Sequence, residues 1–73
     1  MSEKVDELKK LAGIAADMEL SSDLRTKAID LLGNMKTHDA LLVLLNLAAD
    51  EKLTASDRDM ALKKARDIIK SGR

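Results

Sequence analysis

The side chains that could perform chemistry in this sequence are a single histidine and many carboxylates, and their spacing decides whether they form a site. His38 stands beside Asp39, with no second His and no Cys in the chain. A zinc site or an acid–base catalytic set needs several such groups at defined spacing. Asp17 and Glu19 share one short segment but lack the alternating ligands and glycine of a calcium loop. We therefore predict no catalytic residue, no metal site, no cofactor, and a chain that is not an enzyme.

A pair of arginines recurs along the chain, each a few residues after an aspartate. Arg25 follows Asp17, and Arg58 follows Asp50 at the same separation. Ligand binding by such a pair requires other polar groups that converge on it, and the sequence indicates none. We expect these residues to form ion pairs or to bind loop carbonyls between neighbouring structural units.

Contact with nucleic-acid phosphates is a second chemical possibility. Lys63, Arg66 and Lys70, which we call the basic stripe, fall on one side of a predicted helix and could bind phosphates. Asp59 lies on the same side one turn earlier, where it can pair with Lys63 at i, i+4. The chain also has no aromatic residue that could stack on a base. Nucleic-acid binding through the basic stripe is therefore the alternative function.

A repeat of 33 residues indicates which elements position these side chains. Identical residues recur at this offset in the pairs Leu8/Leu41, Leu11/Leu44, Ala15/Ala48, Ala16/Ala49, Asp17/Asp50, Leu20/Leu53, Arg25/Arg58 and Ala28/Ala61. Repeats of this length are typical of α-solenoids, which are built from stacked helical hairpins. Such architectures bind other proteins far more often than they catalyse reactions.

Apolar residues at helical spacing predict four helices. The predicted spans are about 3–16, 23–35, 38–49 and 56–70, with Ser22 and Thr37 as N-caps of the second and third helices. The repeat relates helix 1 to helix 3 and helix 2 to helix 4. We expect one all-α domain over 1–73, with hairpin 1 at about 3–36 and hairpin 2 at about 37–71.

Helix 2 and the start of helix 3 resemble a known repeat family. Helix 2 carries Arg25, then Ala28, then Leu32–Gly33, and Asp39–Leu41 leads into Leu44 and Leu45. This order resembles the two helices of a HEAT-like repeat of the phycobilin-lyase type. The second copy departs from the pattern, since Ala65–Arg66 replaces Leu32–Gly33. The resemblance implies two stacked antiparallel hairpins and a protein-interaction scaffold.

An up-down four-helix bundle is the competing architecture, because short loops between amphipathic helices serve both folds. The internal repeat favours the stacked hairpins. Two repeats are fewer than the roughly three that a stable solenoid usually needs. We therefore expect a homodimer in which a second copy supplies the missing neighbours.

The repeat breaks most visibly on helix 3. Lys9 and Lys10 of helix 1 correspond to Leu42 and Val43, so helix 3 is apolar almost all round. Such a helix is buried on more than one side. Either helix 3 lies centrally among the other helices, or Leu42, Val43 and Leu47 stay partly exposed and form an interface. The second reading predicts a small protein–protein interaction module, an adaptor or regulatory subunit that uses the apolar surface around helix 3.

The composition bears on compartment and partners. Thirteen basic and thirteen acidic residues cancel, which gives no electrostatic reason to expect nucleic acid or an anionic membrane as the main partner. The longest apolar stretch, from residue 40 to residue 45, is far too short to span a bilayer. The lack of Cys is compatible with a reducing compartment, and we expect a cytoplasmic protein.

Overall fold

Four α-helices follow one another along the chain, and the predicted all-α class is confirmed. The computed structural model describes residues 3–72, with side chains from 6 to 71. The helices are α1 (Glu3–Ala16), α2 (Ser22–Met35), α3 (His38–Ala48) and α4 (Ala55–Gly72). No strand occurs within this described range. Residues 1, 2 and 73 of the predicted domain lie outside it.

The helix starts follow from local hydrogen bonds of hydroxyl groups. Thr37 caps α3, since its side chain accepts a hydrogen bond from the Ala40 amide at 3.1 Å, as predicted. The cap of α2 is Ser21 rather than Ser22, and its hydroxyl accepts from the Leu24 amide at 3.3 Å. Ser21 has the extended backbone that an N-cap requires, whereas Ser22 is already helical. The prediction was wrong by one residue because adjacent serines offer the same side chain.

The two interhelical loops repeat each other in detail. Asp17 accepts a hydrogen bond from the Glu19 amide at 2.9 Å, and Asp50 accepts one from the Lys52 amide at 2.9 Å. Thr54, 33 residues after Ser21, likewise accepts from the amide three residues on, at 3.1 Å. The sequence repeat is therefore also a structural repeat. Asp17 and Asp50 stabilise their own loops rather than forming part of a ligand site.

The contacts between helices define how the four helices pack together. Helix α1 packs against α2, and α3 packs against α4, so each repeat forms a hairpin. Helix α2 also packs against α3 and α4, and α1 reaches α3. In the described part of the chain α1 makes no contact with α4, although an up-down bundle brings its first and last helices together.

The core combines a few large aliphatic side chains with many alanines. Ile29, Leu32 and Leu44 are the largest fully buried side chains, and each such burial is worth about 1.5–3 kcal/mol. The buried alanines around them are Ala15, Ala28, Ala40, Ala61 and Ala65. Because alanine adds little width, the helices approach closely and the core needs no aromatic residue. This core holds the outward faces of α2, α3 and α4 in fixed relation.

Candidate interaction surfaces

Helix α3 occupies the centre of the stack, which accounts for most of its apolar character. It contacts α4, α2 and α1, and Ala40, Leu44 and Leu47 form its buried stripe. Leu47 is only 5% exposed and belongs to the core. The prediction that Leu47 is part of an exposed interface is therefore wrong. Leu47 lies three residues after Leu44 and seven after Ala40, so it shares the side of α3 that faces the neighbouring helices.

The outer side of α3 nevertheless keeps an apolar patch. Leu42 is 48% exposed and Leu45 is 39% exposed; we call these two residues the α3 patch. Val43 is partly buried against the core. The structure thus leaves Leu42 of the predicted interface on the surface and adds Leu45, which the sequence reasoning missed although it lies one turn from Leu42.

A second apolar surface lies between α1 and α2, and its lining comes from hairpin 1. It is a shallow groove of about 180 Å³ lined by Leu11, Ile14, Leu24, Lys27, Ala28 and Leu31. Leu24 and Leu31 are about half exposed, at 50% and 47%. We call this surface the hairpin-1 groove. The sequence analysis did not identify this groove, because apolar residues at helical spacing were used there only to predict the helices.

The two hairpins are joined by a buried ion pair. The Arg25 Nε donates to the Asp57 carboxylate at 2.9 Å, and the side chains are only 7% and 5% exposed. The Arg25 Nη1 also donates to the Leu20 carbonyl at 2.6 Å. The predicted structural role of Arg25 is thereby confirmed, with Asp57 rather than Asp17 as its partner. Its repeat equivalent differs, because the buried Nε of Arg58 has no hydrogen-bond partner.

A second link between the hairpins combines an ion pair with a close approach. The Lys64 ammonium lies 2.7 Å from the Asp30 carboxylate. The stem of Lys64 lies against Gly33, and a Cβ at Gly33 would meet the Lys64 Cδ at 2.7 Å and its Cβ and Cγ at 3.0 Å. Gly33 is thus required here for close helix packing, not for an unusual backbone conformation.

The basic stripe is exposed on the outer side of α4. Lys63, Arg66 and Lys70 all lie on the surface. The Lys63 ammonium is 3.9 Å from the Asp59 carboxylate, with both side chains about two-thirds exposed or more, at 71% and 67%. Such an exposed pair contributes little to stability, and the carboxylate lowers the positive potential that phosphates would meet.

The remaining polar groups are His38 and the residues that line a second groove. His38 is exposed at the first residue of α3, and the described residues contain no group of three or more His, Cys, Asp or Glu that could hold a metal ion. An open groove of about 420 Å³ between α2 and α4 is lined by Asp23, Thr26, Lys27, Asp30 and Met60. Its Asp30 already binds Lys64.

Comparison with protein-family models, with curated proteins and with solved structures finds no significant match to this chain. The class of protein therefore follows from the fold alone, which is an all-α arrangement of two repeated hairpins. No helix among residues 3–72 combines the length and the apolar character needed to cross a membrane.

Proposed function

We propose that this chain is a small protein-interaction module of two HEAT-like stacked hairpins, acting as an adaptor or regulatory subunit. Its α3 patch binds the apolar side of an amphipathic helix from a partner protein. The observation that carries this proposal is the exposure of Leu42 and Leu45 on the central helix. One exposed leucine is ordinary on a protein surface, whereas two on adjacent turns give a helix an apolar contact.

The surroundings of the α3 patch support binding rather than catalysis. Asp39 and Asn46 are exposed on the same helix, so polar groups lie beside the two leucines as at the rim of a protein interface. The rigid core behind α3, with Leu44 fully buried, fixes the patch before a partner arrives. A preorganised surface loses less conformational entropy on binding. The balanced charge and the lack of Cys lead us to propose a cytoplasmic location.

The test is a binding assay with matched lysine variants. Partners are captured from a lysate with the wild-type chain, identified, purified and measured by titration. We expect Leu42→Lys to abolish binding, and Leu62→Lys to leave it unchanged, because Leu62 is similarly exposed, at 41%, but lies on α4. Both variants should keep the helical circular dichroism of the parent. Equal binding by all three chains would refute the α3 patch as the binding surface.

Nucleic-acid binding is a second candidate, favoured by the exposure of all three residues of the basic stripe. Here we would expect retention on a duplex-DNA column at low salt that falls steeply as salt is raised. The triple variant Lys63→Ala, Arg66→Ala and Lys70→Ala should remove it. A wild-type chain that elutes unretained at low salt would eliminate this candidate without affecting the first.

A further inference from the structure

The hairpin-1 groove is the repeat equivalent of a surface that is buried inside this molecule. At the 33-residue offset its lining corresponds to positions in hairpin 2, in the pairs Leu11/Leu44, Ile14/Leu47, Leu24/Asp57, Lys27/Met60, Ala28/Ala61 and Leu31/Lys64. Four of these hairpin-2 residues are buried and Met60 is partly buried against the core. Lys64 and Asp57 form the two ion pairs with hairpin 1. The groove is thus a face of the kind that receives another hairpin.

The residues that anchor the internal contact are replaced on the hairpin-1 groove. Asp57 and Lys64 bind hairpin 1 through charge, whereas the equivalent positions are Leu24 and Leu31. These leucines have no charge to offer an arriving hairpin. An occupant of the groove must therefore present apolar side chains at both positions.

The opposite face of the molecule does not meet that requirement. Stacking of copies head to tail would place Arg58, the equivalent of Arg25, against Leu24, and would place Lys63, the equivalent of Asp30, against Leu31. The first contact would take more of Arg58 out of water without a partner, which is strongly unfavourable. The second would remove water from the exposed pair of Lys63 and Asp59. Arg66 also stands where the internal contact needs Gly33.

The hairpin-1 groove itself presents apolar side chains that can contact Leu24 and Leu31 of another copy. We propose that two copies of this chain associate through this groove, with α1 and α2 of each against α2 and α1 of the other, in a closed two-fold dimer. A two-fold axis brings identical patches together. The groove's one charged lining residue is Lys27, and the exposed Asp23 lies one turn before it on α2, outside the lining, so a two-fold contact can pair these opposite charges between copies. The dimer leaves the α3 patch outside the contact and is independent of the proposed partner binding.

The mass of the 73-residue chain in solution tests this proposal. Sedimentation equilibrium, recorded by interference because the chain lacks aromatic residues, should give a mass that rises with concentration and stops at two chains. Leu31→Lys installs the residue that hairpin 2 has at this position, and it should raise the dimer Kd about 100-fold, because a two-fold interface loses the leucine twice. Leu62→Lys, at a similarly exposed leucine of α4, should leave the Kd unchanged.

Three results would overturn the proposal. The first is a mass that stays at one chain up to about 1 mM, a concentration at which even a weak association is half complete. The second is a mass that grows beyond two chains. The third is a dimer that Leu42→Lys disrupts while Leu31→Lys does not. Helicity is checked for each variant by circular dichroism. If Leu31→Lys lost its helices, Leu24→Gln in the same groove would take its place with the same expected dissociation.

Discussion

The buried pair between Arg25 and Asp57 should be the most sensitive polar contact in the molecule. Asp57→Ala would leave the Arg25 guanidinium, whose side chain is only 7% exposed, without its carboxylate. Removing one member of a buried ion pair costs about 3–5 kcal/mol. A domain of 73 residues has a total stability of roughly 4–11 kcal/mol at about 0.05–0.15 kcal/mol per residue. The substitution should therefore remove about a quarter or more of the stability.

The assay is thermal and urea unfolding followed by circular dichroism, since the chain has no aromatic reporter. At about 4–8 °C per kcal/mol for a domain of this size, Asp57→Ala should lower the Tm by roughly 12 °C or more. The control is Asp59→Ala, which removes the exposed pair with Lys63 at 3.9 Å. We expect that control to change the stability by less than about 0.5 kcal/mol.

A double variant separates the charge from the packing. Arg25→Met with Asp57→Leu replaces both charges by apolar groups, and leucine is already the residue at the equivalent position 24. The double variant should lose far less stability than the losses of its two single variants added together. We expect its free energy of unfolding to be about 1 kcal/mol below wild type, because the Leu20 carbonyl loses its donor. Strict additivity, or an Asp57→Ala no worse than Asp59→Ala, would refute a buried and coupled pair.

Two further pairs of variants use the same unfolding assay. Gly13→Ala should stabilise the fold by about 0.5–1 kcal/mol, because a Cβ there meets nothing within 4 Å and alanine favours the helix. Gly33→Ala should instead destabilise it by about 1–3 kcal/mol through overpacking against Lys64, and a gain equal to that of Gly13→Ala would contradict the close approach. Leu47→Lys should unfold the chain, since Leu47 is 5% exposed. Leu42 is 48% exposed, so Leu42→Lys should leave helicity and Tm nearly unchanged. Similar losses of stability in both variants would contradict the assignment of Leu47 to the buried side of α3 and Leu42 to the exposed side.

The helices were predictable because their signals are local. Apolar spacing and the Thr37 cap act within one or two turns, and the observed boundaries lie within a residue or two of the predicted ones. The two loops were predictable as a repeat for the same reason, since Asp17 and Asp50 bind amides only two residues away. The error at Ser22 reflects backbone conformation, which adjacent identical side chains do not encode.

The candidate site was less predictable because α3 carries apolar residues on every side. Periodicity distinguishes the core side of a helix only when the other side is polar, so Leu42 and Leu47 look alike in sequence although one is exposed and the other buried. The partner of Arg25 lies 32 residues away, and no local pattern encodes that distance. The available signal was the difference between the two repeat copies. At the 33-residue offset, Leu24 corresponds to Asp57 and Leu31 corresponds to Lys64.

The exposed surface of α4 and the hairpin-1 groove differ in how many charged residues lie among their apolar ones. On α4 the exposed Leu62 and Ile69 alternate with Lys63, Arg66 and Lys70 along the helix, so water can hydrate the face as in a capping repeat. The hairpin-1 groove has a single charge in its lining, Lys27, among five apolar residues. A face of that composition gains more from burial than from hydration. The same physical difference that makes α4 a poor receiver for another hairpin thus makes the hairpin-1 groove the surface where association should begin.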